Sequence, residues 1–163
     1  MKKKIGIHWF RNDLRTIDNP SLNHLSRNYD NVLGVYIFDE VNIDPKLGSA
    51  SKVWLNHSLK YLKKQLNGNL IILKGNPKEC LDELINFFDV QEVSWNRCYE
   101  PWIIKRDKSL KIYLNEKIKV NSFNGSLLWE PWEILKNDGT PYKVFTPFYK
   151  RGCLSAPNPR LPK

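Results

Sequence analysis

Apolar segments of strand length recur along the chain, and segments with helical periodicity separate them. The pattern predicts five strands, at 5–10, 32–38, 70–73, 93–95 and 118–123. Their nearly unbroken apolar character is typical of parallel strands that are buried on both faces. Strands that alternate with helices form βαβ units with right-handed crossovers, so the pattern predicts an α/β fold with a parallel sheet.

Four helices are predicted between these strands. Asp18 or Asn19 can cap the first, which begins near Pro20. In the other three, apolar residues recur every three or four positions and share one helical face. These residues are Leu55, Leu59, Leu62 and Leu66, then Leu81, Leu84, Ile85 and Phe88, and finally Ile103, Leu110 and Leu114.

The segment that follows the fifth strand has a different pattern. It is rich in turn-forming residues, and a short helix is predicted to begin at Thr146. Residues 153–163 contain three prolines and no periodicity, as linkers do. We therefore expect an α/β domain over 1–147 and, over 148–163, the Pro-rich and basic start of an interdomain linker.

Composition places the chain among globular proteins. Of its 163 residues 41% are apolar, which is an ordinary share. No apolar run reaches the roughly 18 residues of a membrane span, and no signal peptide is evident, so we expect a cytoplasmic location. The three cysteines, Cys80, Cys98 and Cys153, are odd in number and widely spaced. This excludes a disulfide scaffold and argues against a metal site.

The net charge of +9 is unevenly distributed. Five basic residues and no acids lie in 143–163, which leaves +4 for the rest of the chain. A nucleic-acid-binding domain usually spreads its positive charge over a folded face. The distribution therefore favours a solvated surface, and it leaves DNA binding through the tail lysines as an alternative.

Several enzyme motifs are missing from the sequence. The first strand is followed by RNDLR at 11–15 and not by the glycine-rich turn of a dinucleotide fold, and there is no P-loop. His8, His24 and His57 lie in unrelated settings, so packing or surface roles are expected for them. No residue is predicted to be catalytic.

Polar residues instead follow the strands directly. Arg11 follows the first, Asp39 the second, and Asn96 and Glu100 the fourth. In an open parallel sheet, ligands bind outside the carboxyl ends of the strands, where the strand order reverses. If the order is 3-2-1-4-5, Arg11 and the 96–100 loop flank one crevice. The spacing leaves two alternatives open: a ligand site, or an ion pair of Arg11 with Glu100 or Asp39.

Four ordered motifs give the sequence a family resemblance. They are HWFRNDLRTIDNPSL at 8–22, YIFD at 36–39, NRCYEP at 96–101 with Arg106-Asp107 following, and DGTPYKVFTPFYK at 138–150. Together they resemble the N-terminal domain of the DNA photolyase/cryptochrome family, over about residues 4–152. The resemblance implies a Rossmann-like domain, an open five-stranded sheet in the order 3-2-1-4-5 with helices on both faces, that holds a light-harvesting antenna chromophore.

The same resemblance implies a division of labour. In this family a helical domain carries FAD, the electron-transfer tryptophans and most of the contact with damaged DNA, and we expect that domain to lie outside this chain. The chain is then part of a deoxyribodipyrimidine photolyase-like lyase or a cryptochrome. It supports light-driven repair of pyrimidine dimers only when joined to the FAD domain, in cis or in trans.

The resemblance also implies roles for the polar residues at the crevice. In this family, the residue equivalent to Glu100 forms hydrogen bonds with the ring of a bound folate, and the residue equivalent to Asn96 lies in the same pocket. The residue equivalent to Arg11 approaches a deazaflavin or flavin in other members. Two hydrogen bonds from a carboxylate suit the amidine-like edge of a pterin. Cys98 stands where deazaflavin-binding members tend to have an acid, so methenyltetrahydrofolate is favoured over deazaflavin or FMN. Arg11, Asp39, Asn96 and Glu100 form the predicted site.

Two further hypotheses belong to other classes. One is a stand-alone nucleotide-binding or regulatory α/β domain that binds adenine nucleotides. It stays open because the same fold serves many functions. The other is a docking domain without a ligand. It would present an apolar face around Trp129, Trp132, Phe145 and Phe148 to a helical partner, and it would self-associate when alone.

Overall fold

The structure, a computed structural model, describes residues 4–42 and 47–162. It divides into two compact units, one that ends at Gly125 and one that runs from Ser126 to Pro162. Lys163, the last basic residue of the tail, lies outside the described residues. The domain boundary predicted after residue 147 stays a prediction.

The first unit contains a five-stranded parallel sheet. Its strands are β1 (Ile5–Phe10), β2 (Asn31–Phe38), β3 (Leu70–Lys74), β4 (Val90–Asn96) and β5 (Lys119–Phe123). They are ordered β3-β2-β1-β4-β5, which confirms the predicted topology. The strand order therefore reverses between β1 and β4, and the carboxyl ends of these two strands lie side by side.

β4 begins three residues earlier than the sequence pattern predicted. The prediction was too short because the strand contains a charged residue, which the pattern treats as solvent-exposed. Glu92 interrupts the apolar run, so the sequence analysis began the strand at Val93. The carboxylate of Glu92 is fully buried and accepts hydrogen bonds from Tyr29 at 2.9 Å and Asn121 at 2.9 Å. Polar partners on neighbouring elements thus satisfy a charge that would otherwise exclude Glu92 from the sheet.

Four helices connect the strands: α1 (Pro20–Asn28), α2 (Ser49–Gln65), α3 (Pro77–Phe87) and α4 (Pro101–Asn115). Asn19 caps α1, since its side chain accepts a hydrogen bond from the backbone N–H of Leu22 at 3.1 Å. Asp18, the alternative cap, has a left-handed φ of 49°. The turn after α2 also uses left-handed residues, Asn67 and Gly68.

The two faces of the sheet have separate cores because side chains alternate along each strand. Trp9 points into a cluster with residues of α3 and α4, whereas Phe10 points into a second cluster with Leu59 and Leu62 of α2. Helices therefore cover both faces, as predicted. The inward leucines of α2, α3 and α4 were placed correctly by their periodicity.

Gly34 of β2 marks a close approach between the sheet and the turn after α2. A Cβ atom there would lie 2.9 Å from Leu66 Cδ1, 3.0 Å from the backbone oxygen of Asn69 and 3.1 Å from Phe10 Cε2. We expect Gly34→Ala to lower the free energy of unfolding by about 2 kcal/mol, measured by urea denaturation. Gly48→Ala is the control because no atom lies within 4 Å of its added Cβ. Equal stability of the two variants would contradict this.

The second unit is built from turns and short helices. Helical structure begins at Phe145, one residue before the predicted start, with α5 (Phe145–Pro147), and a π-turn (Phe148–Gly152) and a 3-10 turn (Cys153–Ser155) follow. Trp129 Nε1 donates a hydrogen bond of 2.7 Å to the backbone oxygen of Pro157. Among the described residues, no helix has both the length and the hydropathy that a membrane span requires.

Candidate functional site

The structure brings the four predicted site residues to one edge of the sheet. Arg11 and Asp39 come directly after β1 and β2, Asn96 is the last residue of β4, and Glu100 is the N-cap of α4. Three of them are buried, and Glu100 is exposed. The loops that carry them lie at the carboxyl ends of the strands, where the topology predicts a ligand.

Arg11 is held by acceptors that the sequence analysis did not assign to it. Its guanidinium pairs with Asp107 of α4 and donates to the backbone oxygen of Asn96. It also lies over two indole rings, 5.2 Å from the centroid of Trp9 and 5.9 Å from that of Trp95. An ion pair of Arg11 was one of the two alternatives that the spacing left open, but its carboxylate partner is Asp107 and not Asp39 or Glu100.

Asp39 pairs with a different arginine. One carboxylate oxygen accepts a hydrogen bond of 3.0 Å from Arg106 Nη1, and the other accepts from the backbone N–H groups of Val41 and Asn42. Arg106 also pairs with Asp107 at 2.8 Å. Asp39, Arg106, Asp107 and Arg11 therefore form one continuous charge network that joins the loops after β1 and β2 to α4.

Asn96 anchors a second hydrogen-bond network. Its amide nitrogen donates to Asp13 and, at 2.7 Å, to Asn19, and its amide oxygen accepts from the backbone N–H of Ser21 at 3.2 Å. A Cβ on Gly125 would lie 2.6 Å from Asn96 Cγ, so only glycine fits there. Asn96 thus fixes the start of α1 against the end of β4.

His8 extends this network and is held neutral. Its Nδ1 donates to Ser21 Oγ at 2.8 Å, and its Nε2 accepts from the amide nitrogen of Asn19 at 3.2 Å. The ring is fully buried, and this burial together with the charge of Arg11 lowers the pKa of His8 to about 3. His8 therefore has the packing role that the sequence analysis expected.

Glu100 is the predicted residue that faces solvent. Its Oε1 accepts a long hydrogen bond of 3.4 Å from Asn12, and the side chain makes no capping hydrogen bond to α4. Its carboxylate can therefore turn toward a ligand with little rearrangement of the protein.

A cavity of about 540 Å³ opens beside the charge network. Its wall combines cationic and aromatic side chains with the N-terminal end of α3. They are Lys78, Lys105, Arg106, Trp102, Tyr113 and Asn76. Arg106 belongs to both the charge network and the cavity wall. It pairs with Asp39, and its Cζ lies 5.4 Å from the ring centroid of Trp102.

Sequence reasoning missed this wall of the cavity. It assigned the inward residues of α4 and did not examine the adjacent helical face, where Trp102, Arg106 and Tyr113 recur at helical spacing. An aromatic residue next to basic residues on an otherwise solvated face was the available signal.

Two buried donors at the same edge have no hydrogen-bond partner among the described residues. They are Trp9 Nε1 and Arg11 Nε. Both atoms are enclosed by protein, and neither residue lines the cavity. Within the described part of the chain, no three His, Cys, Asp or Glu side chains are placed to hold a metal ion.

Comparisons with known proteins identify the family of this domain. The model of the DNA photolyase family matches residues 6–163. The chain belongs to the DNA photolyase family. The family resemblance carried by the four motifs is thereby confirmed, and the cavity lies in a photolyase-family domain.

Known photolyases match this domain in sequence and in fold. A deoxyribodipyrimidine photo-lyase from Agrobacterium fabrum is 39% identical over 148 residues, which cover 88% of this chain and 30% of that protein. The solved structure of a bacterial class III photolyase from Agrobacterium tumefaciens has a TM-score of 0.88 and 35% identity, covering 99% of this chain and 34% of that one. The chain thus spans about a third of the length of these photolyases.

A more distant photolyase shares the fold. The structure of an archaeal photolyase from Sulfolobus tokodaii has a TM-score of 0.77 and 22% identity, covering 98% of this chain and 36% of that one. That protein is described with two FAD molecules and with the implication of a novel light-harvesting cofactor.

Proposed function

We propose that this photolyase-family domain binds an antenna chromophore in the cavity beside α4. The observation that carries the proposal is the combination of an aromatic wall and three cations in a cavity at the edge where the topology predicts a ligand. The light-harvesting cofactor implied for the Sulfolobus tokodaii photolyase supports the same class of ligand.

The cavity wall suits a planar ring with an acidic tail. Trp102 offers a face for stacking, and Lys78, Lys105 and Arg106 can hold the carboxylates of a folate or the phosphate of a flavin. Methenyltetrahydrofolate is the preferred chromophore, with deazaflavin or FMN as alternatives. When bound, it would absorb light and pass the excitation to a flavin.

The four predicted residues have two kinds of role in this proposal. None of the four lines the cavity itself, so Glu100 would accept hydrogen bonds only from a ring edge that extends beyond the cavity. Arg11, Asp39 and Asn96 would act through their networks, because Asp39 orients Arg106 while Arg11 and Asn96 hold β1, β4 and α4 together.

The wider role proposed for the domain is to support light-driven repair of pyrimidine dimers in DNA. A helical FAD-binding domain would be its partner, in cis or in trans, and would make the contact with damaged DNA. Trp132 and Phe145 of the second unit are 60% and 73% exposed, which suits them for docking such a domain or a second copy of this chain. A cytoplasmic location fits this role.

Substitutions at the cavity test chromophore binding. We expect Trp102→Ala to weaken binding of methenyltetrahydrofolate about tenfold, because the ring loses its stacking surface. Glu100→Ala is expected to lower retention of the pigment several-fold. The measurement is the absorption spectrum of the full chain after incubation with methenyltetrahydrofolate or FMN and desalting.

Two control variants accompany this experiment. Phe87→Ala removes an exposed aromatic residue from α3, and Glu116→Ala removes a carboxylate at the far end of α4. Both should retain pigment at the level of the unsubstituted chain. If neither pigment is retained by the unsubstituted chain, or if Trp102→Ala binds both normally, the cavity is not the chromophore site.

A further inference from the structure

β3 forms one edge of the sheet, and the part of the chain that the structure describes places no strand along its outer side. It pairs in parallel with β2, from Leu70 opposite Gly34 to Lys74 opposite Phe38. An edge strand offers its unpaired N–H and C=O groups to an extended chain that approaches it. β3 can therefore accept a further strand if its surroundings leave room for one.

The hydrogen bonds to β2 determine which backbone groups of β3 point outward. The C=O of Asn69 and the N–H of Gly75, at either end of β3, form hydrogen bonds of 3.0 and 3.1 Å with β2. Because the backbone groups of successive residues point to opposite sides of a strand, the odd-numbered positions face β2. The N–H and C=O groups of Ile72 and Lys74 therefore point away from the sheet.

A groove of about 300 Å³ lies beside this edge, between the sheet and α2. Its floor is apolar and includes Tyr36 and Phe38 of β2 and Ile72 of β3. Ile72 is 46% exposed, although it is an aliphatic residue of the sheet. It thus presents both outward backbone groups and an apolar side chain to solvent, which are the two elements that strand addition uses.

The rim of the groove is basic. Lys52, Lys60 and Lys63 of α2 line it, and no carboxylate is among its lining residues. Lys52 Nζ lies 5.8 Å from the ring centroid of Phe38, the last residue of β2. Lys63 is 11 residues further along the helix, which is about 16 Å or about five residues of extended chain. The lysines therefore span a length that matches the 5 residues of β3.

We propose that β3 binds an extended acidic peptide of a partner protein as a sixth strand. The peptide would place an apolar side chain over Ile72. Its carboxylates, two positions away on the same face, would lie toward Lys52 and Lys63, since alternate residues of a strand share a face. Main-chain hydrogen bonds to Ile72 and Lys74 would supply affinity, and the groove would select for this pattern of side chains.

Charge favours such a partner over a second copy of this chain. Pairing of β3 with β3 would bring two sets of the three lysines together, with no acid lining either groove. Like charges that face each other across an interface oppose association. Self-association through β3 is therefore an outcome that contradicts the proposal.

The test titrates a fluorescein-labelled peptide of the pattern Glu-Thr-Val-Thr-Glu with the full chain and follows fluorescence anisotropy. Saturable binding is expected, and the Lys-Thr-Val-Thr-Lys peptide should bind about tenfold more weakly because its charges repel the lysines. Two N-methylated peptides then test strand pairing on the unaltered protein. One is methylated at the valine and one at the following threonine, whose N–H groups point to opposite edges of the added strand. One of the two should bind about tenfold more weakly, because it loses an inter-strand hydrogen bond, and the other should bind as before.

Variants of the chain locate the peptide at β3. Lys52→Gln/Lys63→Gln should weaken binding about fivefold. Lys143→Gln/Lys150→Gln removes two exposed lysines from the second unit and should leave binding unchanged. Ile72→Pro should abolish binding, because it removes an outward N–H at a position where an edge strand tolerates proline.

Three results would each overturn the proposal. They are no saturable binding at chain concentrations up to about 1 mM, equal effects of the two methylations, and a dimer of the chain that Ile72→Pro dissociates. The cavity beside α4 shares no lining residue with this groove, so the chromophore proposal and this one can fail separately.

Discussion

Arg11→Met is expected to lower the free energy of unfolding by about 2–3 kcal/mol. The guanidinium is buried between Trp9 and Trp95, and it pairs with Asp107 and donates to the backbone oxygen of Asn96. Methionine would fill much of the volume but would leave the carbonyl of Asn96 without this donor and the half-buried carboxylate of Asp107 with Arg106 as its remaining partner. Truncating one partner of a buried pair costs more than the pair contributes, because the other partner stays desolvated.

Urea denaturation measures this loss of stability, and two further variants serve as controls. Arg27→Met makes the same substitution at an exposed position near the end of α1 and should change stability by less than about 0.5 kcal/mol. Arg11→Lys keeps the charge but loses the planar fork, so an intermediate loss is expected. A loss below about 1 kcal/mol for Arg11→Met would show that the charge network contributes little to stability.

Acid is expected to destabilise the domain through His8. The folded-state pKa of about 3 lies below the unfolded value of 6.5, so the unfolded chain binds the proton more readily. The contribution of His8 is therefore complete above pH 6.5 and is lost as the pH falls toward 3. Between pH 7 and pH 4 the loss is about 3 kcal/mol.

The hydrogen bonds explain why His8 resists protonation. A proton on Nε2 would face the amide N–H of Asn19, whose own oxygen is already used by Leu22 and Asn96. We expect His8→Asn to be less stable at pH 7 but to show a flatter dependence of the unfolding free energy on pH from 7 to 4. His57→Asn, at an exposed position on α2, should keep the slope of the unsubstituted chain. An unchanged slope in His8→Asn would assign the acid sensitivity to other groups.

The fold was predictable because its signals are local. Apolar runs locate β1 and β2, leucine periodicity identifies the inward faces of the helices, and βαβ alternation implies a parallel sheet. Glu92 shows where such reasoning fails. A buried carboxylate is compatible with a strand only if partners such as Tyr29 and Asn121 are supplied by other elements, and no local pattern records them.

The candidate site was predictable in position but not in its contacts. That Arg11 and Asn96 lie at one edge follows from strand order. The choice of Asp107 over Asp39 as the partner of Arg11 depends on where α4 crosses that edge, to within a few ångströms. The cavity wall depends on the same crossing, since Trp102 and Arg106 reach Lys78 and Asn76 of another helix only in the folded chain.

The separation between Arg11 and its partners has a consequence for synthesis of the chain. The residue that supplies its carbonyl acceptor comes 85 residues later and Asp107 comes 96 residues later. At about 5–20 residues per second, a ribosome extends the chain for roughly 5–20 s before Asp107 exists. During that interval Arg11 lacks its carboxylate partner, and β1 can pair with β2 before β4 has been synthesised. The candidate site is therefore completed late in translation, after the nascent chain has presented β4 and α4.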